Sequence, residues 1–138
     1  MKYLLDTCVL SDFFKGEANT LAHIKETPPS YIAVSSITLM EIKYGLALNP
    51  ERAKIIEPIS QDFLKTITLL DFNEEDANQA ATVRADLRRQ GKPIGSYDIL
   101  LAGTALSRQL ILVTSNTKEF IRLENLTLEN WRLSSTKK

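Results

Sequence analysis

A chain of 138 residues with 43% apolar content can bury one core and is short for two domains. Its 17 basic residues balance 17 acidic ones, so no global cationic field serves nucleic acid and any such binding needs a local patch. The lone cysteine, Cys8, excludes an internal disulfide and suits a reducing cytoplasm, and no stretch reaches the ~20 apolar residues of a membrane span. The start, MKYLLDTCVL, sets Asp6 inside its apolar run without a small-residue cleavage site, unlike a secretory leader.

Tyr3 to Leu5 reads as a short buried strand that stops at Asp6. Helices are expected over about Val9 to Phe14, broken near Gly16, and over about Asn19 to Lys25, ending before Pro28 and Pro29. Tyr31 to Val34 is a β-branched and aromatic strand, and Ser35 and Ser36 offer caps for a helix from about Ile37 to Leu48. Pro50 opens another helix to about Leu64. Thr66 to Asp71 is a third strand. Asn73 opens a helix with Glu74, Glu75 and Asp76 in its first turn and arginines near its end. Gly91, Pro93 and Gly95 form a loop, after which Ser96 caps a helix over about Tyr97 to Arg108. Leu110 to Thr114 is a fourth strand and Leu126 to Trp131 a fifth. Alternating strands and helices, with continuous apolar strands, predict an α/β fold: a mostly parallel sheet of four to five strands flanked by helices. Residues 1–133 are expected to form one domain, and 134–138, with Lys137 and Lys138, a flexible basic tail.

Asp6, Glu41 and Asp98 stand out against this frame. Each lies at a strand end or helix start within an apolar stretch, where an unpaired charge is costly. Each also has an ordinary reading. Asp6 could form an Asx turn, Glu41 follows Thr38 by three residues as in a capping box, and Asp98 would sit at a helix N-terminus that favours acids. Helix periodicity argues against the ordinary readings. Asp98 shares a face with Leu101, Ala102 and Ala105, and Glu41 with Ile37, Tyr44 and Leu48, so both are expected to point inward. In parallel α/β folds the ligand crevice lies beyond the carboxyl ends of the strands, where all three acids and Asn116 would meet. Clustered carboxylates without cysteine or histidine partners suit an octahedral Mg²⁺ site, and such a cation activates water and neutralises a phosphodiester.

The ordered set LLDT, Ser36 to Glu41, Gly95 to Asp98 with Ala102 and Ala105, and Thr114 to Asn116 resembles the PIN-domain family, in particular the VapC-type toxins of bacterial toxin–antitoxin pairs. The resemblance runs from Lys2 to Trp131, and the ending TKEFIRLENLTLENW is similar to VapC endings. It implies an RNase dependent on Mg²⁺ or Mn²⁺, with Asp6, Glu41 and Asp98 as catalytic metal ligands. It also implies a small cognate antitoxin, a homodimer, and a substrate such as initiator tRNA cut in the anticodon loop. Many relatives have Asn where this chain has Cys8, a weaker hydrogen-bond partner, and many have Asp where it has Asn116. Asn116 or Glu119 would then serve as the fourth ligand, with Thr7 and Thr114 as supporting hydrogen-bonders. Two other readings stay open. One is a non-catalytic PIN-like module that binds RNA or protein. The other is an Asp-nucleophile phosphatase of the haloacid-dehalogenase type, which wants a second Asp where Cys8 stands.

A cationic track for RNA is expected in Arg84, Arg88, Arg89 and Lys92, with Lys43 beside Glu41, although charge runs are commonly solvated faces. The helix from Ile37 carries a second apolar row, Leu39, Ile42 and Leu46, which would give it two buried sides: one core, the other core, a dimer mate or the antitoxin. Phe13 and Phe14, side by side, cannot both face one core and are expected to serve an interface, unless other helices cover them. His23 reads as a surface helix residue and Trp131 as core or edge packing.

Overall fold

The structure is a computed structural model that describes residues 1–133, so the tail expected at 134–138 lies outside it. Five strands, β1 (Tyr3–Leu5), β2 (Ile32–Ser35), β3 (Thr68–Leu70), β4 (Ile111–Val113) and β5 (Leu128–Glu129), form one sheet in the order β3-β2-β1-β4-β5. Every pairing is parallel, with Leu4 opposite Ala33 on one side and Leu112 on the other. β1 is therefore central, and Leu4 and Leu5 project to opposite faces. Leu4 joins the core of Val83, Leu87, Leu101, Ala105 and Phe120, while Leu5 joins that of Val9, Leu10, Ile42, Val113 and Trp131.

The helices are α1 (Thr7–Lys15), α2 (Ala18–Glu26), α3 (Ser36–Leu48), α4 (Pro50–Leu64), α5 (Glu74–Arg89), α6 (Ser96–Arg108) and α7 (Thr117–Phe120). Local chemistry starts and stops them. Asp6 caps α1 by accepting from the Thr7 N–H at 2.7 Å, and Gly16, at φ 79°, ends it in the left-handed region open to glycine. Ser35 caps α3 through the Ile37 N–H at 3.0 Å. Asn73 and Asp76 form a reciprocal capping box on α5. The cap expected at Ser96 is displaced: Gly95 holds the N-cap position without a side-chain bond, and Ser96 is the first helical residue. The four-residue α7 is too short to leave a periodic signal.

Two contacts fix α5 against α6. Asp76 is fully buried and accepts from the Ser107 hydroxyl and from Arg108, whose guanidinium lies 3.0 Å from Oδ2. Arg108 also donates to the Asp71 carbonyl at 2.9 Å. Burial alone would raise the Asp76 pKa, but Arg108, Ser107 and the Asn73 N–H outweigh it and hold the carboxyl below its ordinary range. At Gly103 a β-carbon would lie 2.7 Å from both Ala80 Cβ and Ala80 N and 2.8 Å from the Asp76 carbonyl oxygen, so the two backbones touch.

The C-terminal segment straps the first helices. Arg132 makes a two-point ion pair with buried Asp12, at 2.6 and 2.9 Å. Trp131 is buried and stacks on His23 with centroids 5.2 Å apart, so His23 is half-buried rather than a free surface residue. Phe13 packs on Phe63 of α4 at 4.9 Å and Phe14 on the Leu5 core, so neighbouring helices half-cover both rings. Among the described residues no helix is long and apolar enough to cross a membrane.

Candidate active site

The acids gather beyond the carboxyl ends of the strands. Asp6 directly follows β1, and its Oδ2 accepts from the Thr114 hydroxyl, at the end of β4, at 2.8 Å. Thr114 is fully buried and Asp6 nearly so. Burial raises the Asp6 pKa more than the bonds from Thr114, the Thr7 N–H and Cys8 lower it. Glu41 lies in the second turn of α3, and its Oε1 accepts from the Thr7 hydroxyl at 2.7 Å. That bond and the Ser35 cap leave no capping box between Thr38 and Glu41, the ordinary reading weighed against the inward one. Thr38 is instead buried within α3, and its hydroxyl has no hydrogen-bond partner among the described residues.

Asp98 stands in the first turn of α6, half-buried, above Leu101, Ala102 and Ala105, which are buried as expected. Its pKa is pushed up to about 6, first by burial and then by the negative charges of Asp6, Glu119 and Glu41. Asp98 thus feels the other three acids. Gly95 leaves room beside Asp98, since a β-carbon there would lie 3.2 Å from Oδ2.

Asn116 and Glu119 act together. The Asn116 amide donates to Glu119 Oε2 at 2.8 Å, and its backbone N–H donates to the Thr114 hydroxyl at 3.0 Å. The acid that reaches Asp98 electrostatically is Glu119, with Asn116 as its support. Cys8 joins the same network: its sulfur is 3.7 Å from Asp6 Oδ2 and 3.7 Å from Thr114 Oγ1, and it accepts from the Ser115 hydroxyl at 3.3 Å. Ser115 escaped the sequence reading because nothing in its spacing separates it from the adjacent Thr114 and Asn116.

The facing expected for Glu41 is corrected. Tyr44 is 63% exposed and Leu48 68% exposed, while α3 buries Thr38 and Ile42 and packs Leu46 on the core. Helix α3 is apolar nearly all round, so its pattern cannot choose a side. Met40, Tyr44 and Leu48, with Ile55 and Ile59 of α4, are left exposed. Of the expected cations, Arg89 is paired with Asp86 at 2.8 Å. The side chains of Arg84 and Arg88 are exposed and make no hydrogen bond or ion pair among the described residues. Lys92, in the loop after α5, and Lys43, on α3, are also exposed.

The donor set is all oxygen, which suits a hard divalent cation. Among the described residues no three Asp, Glu, His or Cys side chains close into a ready-made cage. Mutually repelling carboxylates stay apart, and a cation that keeps waters and takes phosphate oxygens needs only one or two of them directly. Asp98 is half-buried near the charges of Asp6, Glu119 and Glu41 and has no ion pair among the described residues, so the residues fit a cation.

The PIN-domain sequence model matches residues 3–126. The chain is 35% identical to the tRNA(fMet)-specific endonuclease VapC of Shigella flexneri and 37% identical to that of Salmonella typhimurium, in each case over 95% of this chain and 98% of the relative. It belongs to the PIN-domain family, among the VapC ribonucleases. Solved VapC structures agree. The VapBC2 complex from Rickettsia felis bound to a promoter DNA fragment superposes with a TM-score of 0.86 at 30% identity, over 95% of this chain and 99% of that one. The DNA-bound VapBC complex from Salmonella typhimurium gives 0.84 at 34% identity, over 95% and 98%. The five-stranded parallel sheet flanked by helices is thus the VapC architecture.

Proposed function

We propose that this chain is the toxin of a toxin–antitoxin pair, a cytoplasmic endoribonuclease dependent on Mg²⁺ or Mn²⁺ that blocks translation. The carrying observation is the mutual electrostatic contact of Asp98 with Asp6, Glu41 and Glu119, four acids gathered by otherwise separate elements. Asp6, Glu41 and Asp98 are the catalytic ligands, and Glu119, oriented by Asn116, is the fourth acid. When bound, the cation supplies positive charge for the phosphodiester and acidifies water. The rest falls to the protein. Thr114 and Thr7 fix the Asp6 and Glu41 carboxylates, and the half-buried setting of Asp98 excludes part of the competing solvent. Relatives named for tRNA(fMet) favour initiator tRNA, with the anticodon loop as the unpaired target.

The VapBC complexes among its structural relatives support a small antitoxin as partner. Large apolar side chains left in water on one face mark a protein interface, so Met40, Tyr44, Leu48, Ile55 and Ile59 offer a face for the antitoxin or for a second copy in a homodimer. The purified chain cuts RNA with Mg²⁺ present and stops on addition of EDTA, and Asp6→Asn or Asp98→Asn abolishes cutting. Full activity in either variant removes these residues from the mechanism.

A further inference from the structure

A groove of about 610 Å³ runs between α5 and α6, within the roughly 300–1,000 Å³ of small-ligand clefts. Its walls include Phe72, Pro93, Tyr97 and Leu100, and Arg84 and Arg88 stand along one side. Three features single it out. First, Arg84 and Arg88 are exposed, unpaired among the described residues, and on one helix face, their Cβ atoms about 5–6 Å apart. The fold makes no use of their charge. Second, Tyr97 is 47% exposed at the groove, an aromatic face left open to solvent. Third, the groove is built on the same helix as Asp98, with Ser96, Tyr97, Ile99 and Leu100 of α6 in its wall.

The geometry points to a subsite for one unpaired nucleotide of the substrate strand, in the groove on the α5 side of α6. The base lies against Tyr97 and the neighbouring apolar wall, and the strand's phosphates meet Arg84 and Arg88. The identification of the polymer as RNA rests on the proposed nuclease reading. An acid cluster repels phosphate everywhere except at its cation, so a chain of zero net charge must draw its substrate from outside the cluster. Two free guanidiniums and an aromatic plane are the parts that bind single strands, through phosphate neutralisation and base stacking. A second copy of this chain, the other occupant an apolar groove could take, would leave both arginines without a partner unless it brought acids to them.

The test uses the full chain carrying Asp98→Asn, which holds RNA without cutting it. Its ligand is a fluorescent single-stranded oligonucleotide containing 2-aminopurine, titrated at several salt concentrations in Mg²⁺. Arg84→Ala with Arg88→Ala weakens binding roughly tenfold and lowers the slope of log K against log salt by about 1.4, two phosphates at about 0.7 each. Tyr97→Ala weakens binding roughly tenfold with the slope unchanged and removes the quenching of 2-aminopurine, and Tyr97→Phe restores both. Unchanged affinity and slope in the arginine variant overturn the subsite. So does a result in which the variants split a dimer in sedimentation while RNA affinity holds, since the groove would then seat a second copy. These readings need no cleavage, so a wild-type chain that cuts nothing counts against the nuclease reading alone.

Discussion

Thr7 donates its hydroxyl to Glu41 across 2.7 Å, although 34 residues separate them in sequence. The same threonine's N–H is held by Asp6 at 2.7 Å. One residue therefore sets the spacing of two acids, through its backbone and its side chain. Thr7→Val keeps the shape and loses the hydroxyl. RNA cleavage should fall about 10- to 100-fold, the usual loss when a residue behind a metal ligand is removed. Thr7→Ser should recover most of it. Wild-type rates in Thr7→Val would mean that Glu41 needs no such support.

Asp98 offers a test of the charge argument that is independent of RNA. Its folded pKa, about 6, exceeds that of a carboxyl in an unfolded chain, ~4. Between those values the folded state binds more protons, so this group makes the metal-free protein less stable as pH rises from about 4 to 6. Asp98→Asn should raise the stability of the metal-free chain at pH 7.5 by roughly 2 kcal/mol once solvent screening is allowed for, and flatten that part of the pH profile. Thermal melts in EDTA at pH 5 and 7.5 read both effects. Millimolar Mg²⁺ should stabilise the wild type and do less for Asp98→Asn.

The Asp76 cluster has the opposite sign. Its carboxyl is held low, so its contribution is present above the ordinary carboxyl range and is lost as pH falls through the folded value. Asp76→Ala leaves Arg108 and Ser107 facing a void and should cost about 3 kcal/mol at neutral pH in urea denaturation. The difference from wild type should shrink in acid, below the ordinary carboxyl range.

Gly103→Ala should destabilise by about 1–3 kcal/mol, because its new carbon meets α5 at 2.7–2.8 Å. Ala80→Gly in the same chain should not restore the loss. Two of the three contacts, Ala80 N and the Asp76 carbonyl, are backbone. Full rescue by that second change would show that side-chain crowding alone is at work.

Thr38→Val tests the orphan hydroxyl in α3. Removing a buried polar group that has no partner, without changing shape, should be neutral or stabilising by up to about 1 kcal/mol. A loss above that would reveal a partner for Thr38 in solution.

Much of the sheet could be read in the chain because its strands are buried on both faces and so appear as unbroken apolar runs, as at Tyr3 to Leu5. Asp98 could be read because α6 has one apolar face and the acid stands on it. Glu41 was placed among the acids by its position in the motif, but for the wrong physical reason. Its helix has no polar side to set the phase, and the row with Tyr44 and Leu48 turned out to face solvent. The Asp76–Arg108 pair was invisible because it joins residues 32 apart, and only Asp76's role in the α5 cap is local.

The bond from Thr114 to Asp6 spans 108 residues, and it connects neighbouring strands at the centre of the sheet. Chains are made from the N-terminus, so β1 leaves the ribosome long before β4. Until β4 arrives, β1 lacks one of its two neighbours and Asp6 lacks the Thr114 hydroxyl, keeping only its local bonds from the Thr7 N–H and the Cys8 thiol. Asp98 and Glu119 follow the same schedule, being encoded in the last third of the chain. A nascent chain that stops short of α6 and α7 therefore holds only Asp6 and Glu41 of the four acids.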